Sequence, residues 1–156
     1  MRNFAWWLLA CVHLLASAAW FGAMVYNLTI LHPRARKFFG RDDEKFEDFV
    51  ATISQGARWK VLSGLGLIAV TGIGLIPLAY PPQNQMRWNR LIAIHAALLV
   101  AAVILFWYAS WRLWPKRIFA VGAEAEIIRR QFRFVAISMI CIAAAAMALG
   151  VAAQIP

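Results

Sequence analysis

The chain has 156 residues, 63% of them hydrophobic, with 16 Lys and Arg against 7 Asp and Glu for a formal net charge of +9. At a mean hydropathy of +0.65 it is far more apolar than a soluble domain of about 45–50% apolar residues, and unlike a disordered tail or a disulfide scaffold. A single membrane domain is expected, so the charge is first a topology signal; nucleic-acid binding is not expected, because no basic stripe is interleaved with aromatics.

A helix needs about 20 apolar residues to cross some 30 Å of hydrocarbon at 1.5 Å per residue. Four stretches qualify, with the first at residues 5–31. Leu8-Leu9-Ala10-Cys11 and Ala16-Ser17-Ala18 are possible processing sites, but the apolar run continues well past both, so an uncleaved span is expected. Next, residues 41–54 place Phe46, Phe49, Val50 and Ile53 on one helical face among acidic neighbours, which predicts a short amphipathic helix on the inner membrane surface. The second span covers 61–80, and Pro81-Pro82-Gln83-Asn84-Gln85 forms an outer turn. The third covers 91–113. A loop opens at Trp114-Pro115 and returns as a helix through Arg129 and Arg130 into the fourth span, 134–153. The fold class is therefore an all-α integral membrane four-helix bundle.

Thirteen of the sixteen basic residues fall on one side of this arrangement. Arg34, Arg36, Lys37, Arg41, Lys45, Arg58 and Lys60 are in the first long loop, and Arg112, Lys116, Arg117, Arg129, Arg130 and Arg133 in the second. Only Arg2, Arg87 and Arg90 are opposite. The positive-inside bias puts both basic loops in the cytoplasm and both termini outside, as in a multi-pass bacterial inner (plasma) membrane protein.

Polar side chains within lipid-spanning helices point to function. His13 lies in the first span and His95 in the third, two helices running in the same direction. Both fall in the outer half, roughly 6–12 Å below the boundary at 1.5 Å per residue. Two imidazoles facing one another at one depth hold a haem iron from both sides. His13, Ser17, Trp20, Met24 and Asn27 share one stripe, expected to face the bundle interior and line a cofactor. The face of His95 carries Leu99, Ala102 and Phe106. Gly64, Gly66, Gly72 and Gly74, with Ala143 to Ala146 and Gly150, allow close helix packing or leave room for a flat macrocycle. Interhelical hydrogen bonding is the plainer role for each histidine. His32 before Pro33 is expected to cap a helix C-terminus, and Cys11 and Cys141 to be buried small hydrophobes. No Ser/His/Asp set, paired carboxylate or phosphate loop is present, and all seven acids are in the loops.

The string Cys11-Val12-His13-Leu14-Leu15-Ala16-Ser17-Ala18-Ala19-Trp20-Phe21-Gly22-Ala23-Met24 resembles the opening helix, histidine then tryptophan then glycine, of the copper-resistance D (CopD-like) membrane proteins. It is also similar to that of the HemJ-type bacterial protoporphyrinogen oxidases. Tyr26 to His32, and Arg58-Trp59-Lys60 ahead of the second span, extend the likeness. The resemblance implies a four-helix bundle, with a first-helix histidine and a third-helix lysine tied to haem or porphyrin; His13 matches the former, and His95 stands roughly where the lysine would be. Taken with the residues themselves, it points to a b-type haem held by His13 and His95 as metal ligands, with electron transfer near the outer face. The alternatives are a CopD-like copper protein, a porphyrinogen oxidase, or a cofactor-free packing subunit of a membrane complex. Membrane lipid, a quinone or redox subunit, and a second copy of the chain are the expected partners.

Overall fold

The computed structural model describes residues 1–40, 42–79, 84–120 and 122–153. Every regular element among them is helical, and four helices are long and apolar enough to cross a membrane. Their outward faces are apolar: Val70, Ile73, Phe134 and Val151 are each about two-thirds exposed. A surface of that kind is stable against lipid and not against water.

The first helix, α1 (Arg2–Tyr26), passes through a π-helical segment, Asn27–Leu31, into α2 (His32–Phe39) without a break. Pro33 explains the widened turn. A proline supplies no N–H and its ring crowds the carbonyl four residues back, so the ladder relaxes just ahead of it. The slack carbonyls are taken up locally. The Asn27 amide donates to Ala23 O at 2.8 Å and the Thr29 hydroxyl to Val25 O at 2.7 Å. His32 therefore lies inside a continuous helix and caps nothing, contrary to the sequence expectation. The helical run ends at Gly40, whose φ of 62° is open to glycine at little cost.

The expected amphipathic helix is α3 (Asp43–Ser54); Arg41 lies outside the described residues. Asp42 is its N-cap, accepting from the Lys45 N–H at 3.1 Å, with Asp43 and Glu44 in the first turn where the helix dipole favours them. Part of its apolar face packs on protein. Phe46 and Val50 are buried against Ala35 of α2, with Phe39, Phe49 and Trp114 around them. A protein surface offers these side chains close-packed contacts.

The second span is α4 (Ala57–Leu75) with a 3-10 turn, Ile76–Leu78. Tyr80, Pro81, Pro82 and Gln83 lie outside the described residues, and with them most of the expected outer turn. The third span, α5 (Gln85–Tyr108), is capped by the Asn84 side chain, which accepts from the Arg87 N–H at 3.0 Å. It too passes through a π segment, Ala109–Leu113, into α6 (Trp114–Phe119), again just ahead of a proline, Pro115. Here the Arg58 guanidinium of α4 donates to Ser110 O at 2.7 Å and stacks on Trp111 at 4.5 Å. The last helix, α7 (Ala123–Ala152), starts in the basic loop and recrosses.

The two long helices share a register. Trp6 and Trp88, Leu9 and Leu91, His13 and His95, Ala19 and Ala101, Tyr26 and Tyr108, Leu31 and Leu113, and Pro33 and Pro115 recur at one constant spacing along the chain. Both π segments fall on that spacing. Each long helix packs most extensively on the span that follows it, α1 on α4 and α5 on α7, and α1 joins the two pairs by packing on α7. Near the basic loops all four spans converge on one core, Leu65, Phe106, Leu113, Val135 and Met139, with Trp20 and Met24 packed against it. Cys11 and Cys141 lie on exposed faces, not in the interior as expected.

Candidate functional site

The histidines lie on the terminal side of that core. The rings of His13 and His95 stand 6.3 Å apart, centre to centre, with their planes inclined at 42°. They meet across a part of the bundle where α1 and α5 make little direct backbone contact. Both side chains are half-buried.

His13 is held from one side by α4. Its Nδ1 lies 3.0 Å from Thr71 Oγ1 and 3.1 Å from Ile68 O. A carbonyl only accepts, so Nδ1 carries the proton in both contacts. The Thr71 hydroxyl directs its own hydrogen to a carbonyl of its helix, Leu67 O at 2.6 Å, leaving an oxygen lone pair for His13. Neither contact engages Nε2. Gly72 provides the space: a Cβ there would stand 3.2 Å from His13 Cε1 and 3.6 Å from Nδ1. Thr71, 3% exposed, is the one buried polar residue among those described.

The remaining stripe residues disperse. Ser17 is half-buried one turn from His13. Trp20 and Met24 belong to the core beyond it. Asn27 is exposed, bonded to its own helix, and some 20 Å along the axis from His13 at 1.5 Å per residue. It does not face the interior as expected, because its amide serves the π segment. Ala102 and Phe106, on the His95 face, are buried. Gly74 admits Leu9 at 3.3 Å, whereas Gly64, Gly66 and Gly150 have open space where a Cβ would be.

A metal bound by two opposed imidazoles, at about 2.0 Å per bond, separates the ring centres by about 6 Å. The observed 6.3 Å fits that arrangement. Among the described residues no three of His, Cys, Asp and Glu converge. Two donors alone suit a centre that brings its other ligands with it, as a porphyrin does, and not a bare ion that takes three or four from the protein. A surface cleft at Asn84, Met86, Arg87, Arg90 and Leu91, and another at Ser54, Gln55, Arg58, Trp59 and Trp114, both lie away from the histidines.

Sequence reasoning missed two features. Thr71 and Gly72 were legible as a hydroxyl beside a glycine in mid-span, but only the fold turns them toward His13. The second is an ion-pair network beneath the bundle. Glu47 of α3 accepts from Arg117 Nε at 2.7 Å and from Arg129 Nη1 at 3.4 Å. Arg129 reaches Glu126 at 3.2 Å, and Arg36 pairs with Asp43 at 2.6 Å. His32 packs against Phe46 within the same cluster, ring centres 6.3 Å apart.

Comparison with family models, with curated proteins and with solved structures returns no match.

Proposed function

We propose that this chain is a membrane b-type haem protein in which His13 and His95 would hold the haem iron, with electron transfer as its role. The observation that carries the reading is the approach of the two rings to 6.3 Å from parallel helices. The shared register of α1 and α5 supports it, since equivalent residues of two like helices approach a two-sided centre from opposite faces. Haem iron supplies reversible one-electron chemistry when bound. The chain's own part is to hold two imidazoles at fixed separation, to bond His13 Nδ1 to α4, and to keep water out with the apolar face of α5 that carries Ala102 and Phe106. Two histidines holding such an iron would favour electron transfer over small-ligand chemistry.

The orientation completes the reading: basic loops in the cytoplasm and termini outside, in a bacterial inner membrane, with a quinone or redox subunit as the electron partner. The copper-protein reading finds less support, because two imidazoles without a converging thiolate or carboxylate make a poor cage for a bare ion.

The test is an absorption spectrum of detergent-purified protein expressed with ample haem, oxidised and then reduced with dithionite. A sharp reduced α-band, lost in both His13→Ala and His95→Ala, is expected. A colourless wild-type protein refutes the reading; copper analysis and complementation of a haem-synthesis defect then decide among the alternatives. A reporter fused to the C-terminus that proves cytoplasmic refutes the orientation.

A further inference from the structure

We propose that Thr71 is a positioning residue that, with Ile68 O, fixes His13 as its Nδ1–H tautomer and presents Nε2 as the nitrogen free to bind a metal. What Nε2 binds rests on the haem reading above; the tautomer and the brace are properties of the chain itself.

Three observations carry the inference. Both groups facing Nδ1 are committed as acceptors: Ile68 O by its chemistry, and Thr71 Oγ1 because its hydrogen goes to a carbonyl of its own helix, with Leu67 O at 2.6 Å nearer than Ile68 O at 3.2 Å. A residue that merely filled the core at this place would be apolar, yet Thr71 is buried to 3% exposure beside the ring it contacts. Gly72 removes the one side chain that would push the ring off α4, its missing Cβ lying 3.2 Å from Cε1. An N–H bonded to a protein acceptor is the usual second contact of a metal-binding histidine; it sets ring orientation and makes the opposite nitrogen a stronger donor. Valine in place of Thr71 keeps the shape and removes one acceptor, while serine keeps the acceptor.

The experiment uses the full-length protein in detergent, without haem, carrying ¹⁵N-labelled histidine. The His13 signals are assigned by their loss in His13→Gln, with circular dichroism as the check on folding. The expected wild-type spectrum shows a protonated Nδ1 and an unprotonated Nε2 for His13. In Thr71→Val the Hδ1 resonance moves upfield, and in Thr71→Ser it returns toward the wild-type position. A wild-type His13 protonated at Nε2 overturns the proposal, and so does a Thr71→Val spectrum identical to wild type. In haem-loaded protein, Thr71→Val should raise the midpoint potential and leave haem stoichiometry unchanged, because a less electron-rich imidazole stabilises ferric iron less. If the tautomer is as stated and no haem binds, the brace stands and the haem reading falls; if haem binds to both histidines and Nε2 is protonated in the free protein, the reverse holds.

Discussion

Gly72→Ala separates the demands of the fold from those of the histidine site. The new Cβ would stand 3.2 Å from His13 Cε1, where carbon atoms settle at about 3.5–4.0 Å. The ring must retreat by roughly 0.3–0.5 Å along the direction that also separates Nδ1 from α4. Its contacts with Thr71 and Ile68, now 3.0 and 3.1 Å, would then lengthen to about 3.3 Å or more and weaken. Losing such a bond costs about 1 kcal/mol, and replacing a mid-helix glycine by alanine returns about as much. Thermal unfolding in detergent should therefore place Gly72→Ala within about 1 kcal/mol of wild type while its His13 resonances and any haem band change. Two controls share the helix. Gly74→Ala meets only the flexible end of Leu9 at 3.3 Å, and Gly66→Ala meets nothing within 4 Å. Both should keep the His13 signals of the native protein. Native His13 signals in Gly72→Ala would refute the claim that this close approach positions the ring.

Two further predictions concern the basic-loop end. Glu47→Gln removes the charge shared by Arg117 and Arg129, whose side chains are 10% and 21% exposed, and should cost about 2 kcal/mol. Trypsin should then cut around α3 at lower temperature than in wild type; equal protection in the two proteins would show that apolar packing alone docks that helix. The N-cap gives a pH dependence. A hydrogen bond from the Lys45 side chain, and another from its backbone N–H, hold the Asp42 carboxyl below the ordinary carboxylate range. The stabilisation of α3 by Asp42 is accordingly complete above the ordinary carboxylate value and fades as pH falls through the lowered one. Asp42→Ala should lower the proteolytic protection of α3 near neutral pH and abolish its acid-side slope; a slope that persists in the variant would assign it to another acid.

Much of this architecture was legible in the sequence because lipid leaves few options. Long apolar runs can only be helices, so the four spans were recoverable, though every helix starts before its predicted first residue and the first and third also run past their predicted last. The pairing of His13 with His95 was legible because both are rare polar residues at similar depth in helices of the same direction. The stripe below His13 was legible only in part. Periodicity placed Asn27 with His13, but the proline in the first turn of α2 opens a π turn before it, and the Asn27 amide answers to that local need. The same turn carries the helix past His32, so the cap foreseen there has no free carbonyls to serve. Cys11 and Cys141 illustrate a different limit: against lipid, small apolar residues gain nothing by being inside. Contacts between elements, such as Glu47 with Arg117, required the fold itself.

The matched register of α1 and α5 makes each half of the molecule a reference for the other. Where the halves agree, in Trp6 and Trp88, Tyr26 and Tyr108, or the prolines behind the π segments, the shared residue answers to something both copies of the environment impose. Where they differ, the difference gives the molecule direction. Trp20 stands opposite Ala102, and His32 opposite Trp114. The Thr71–Gly72 step of α4 lies against His13. Exchanging residues between matched positions, one pair at a time, would therefore distinguish what makes the two sides alike from what makes the site asymmetric, with the native chain serving as its own control.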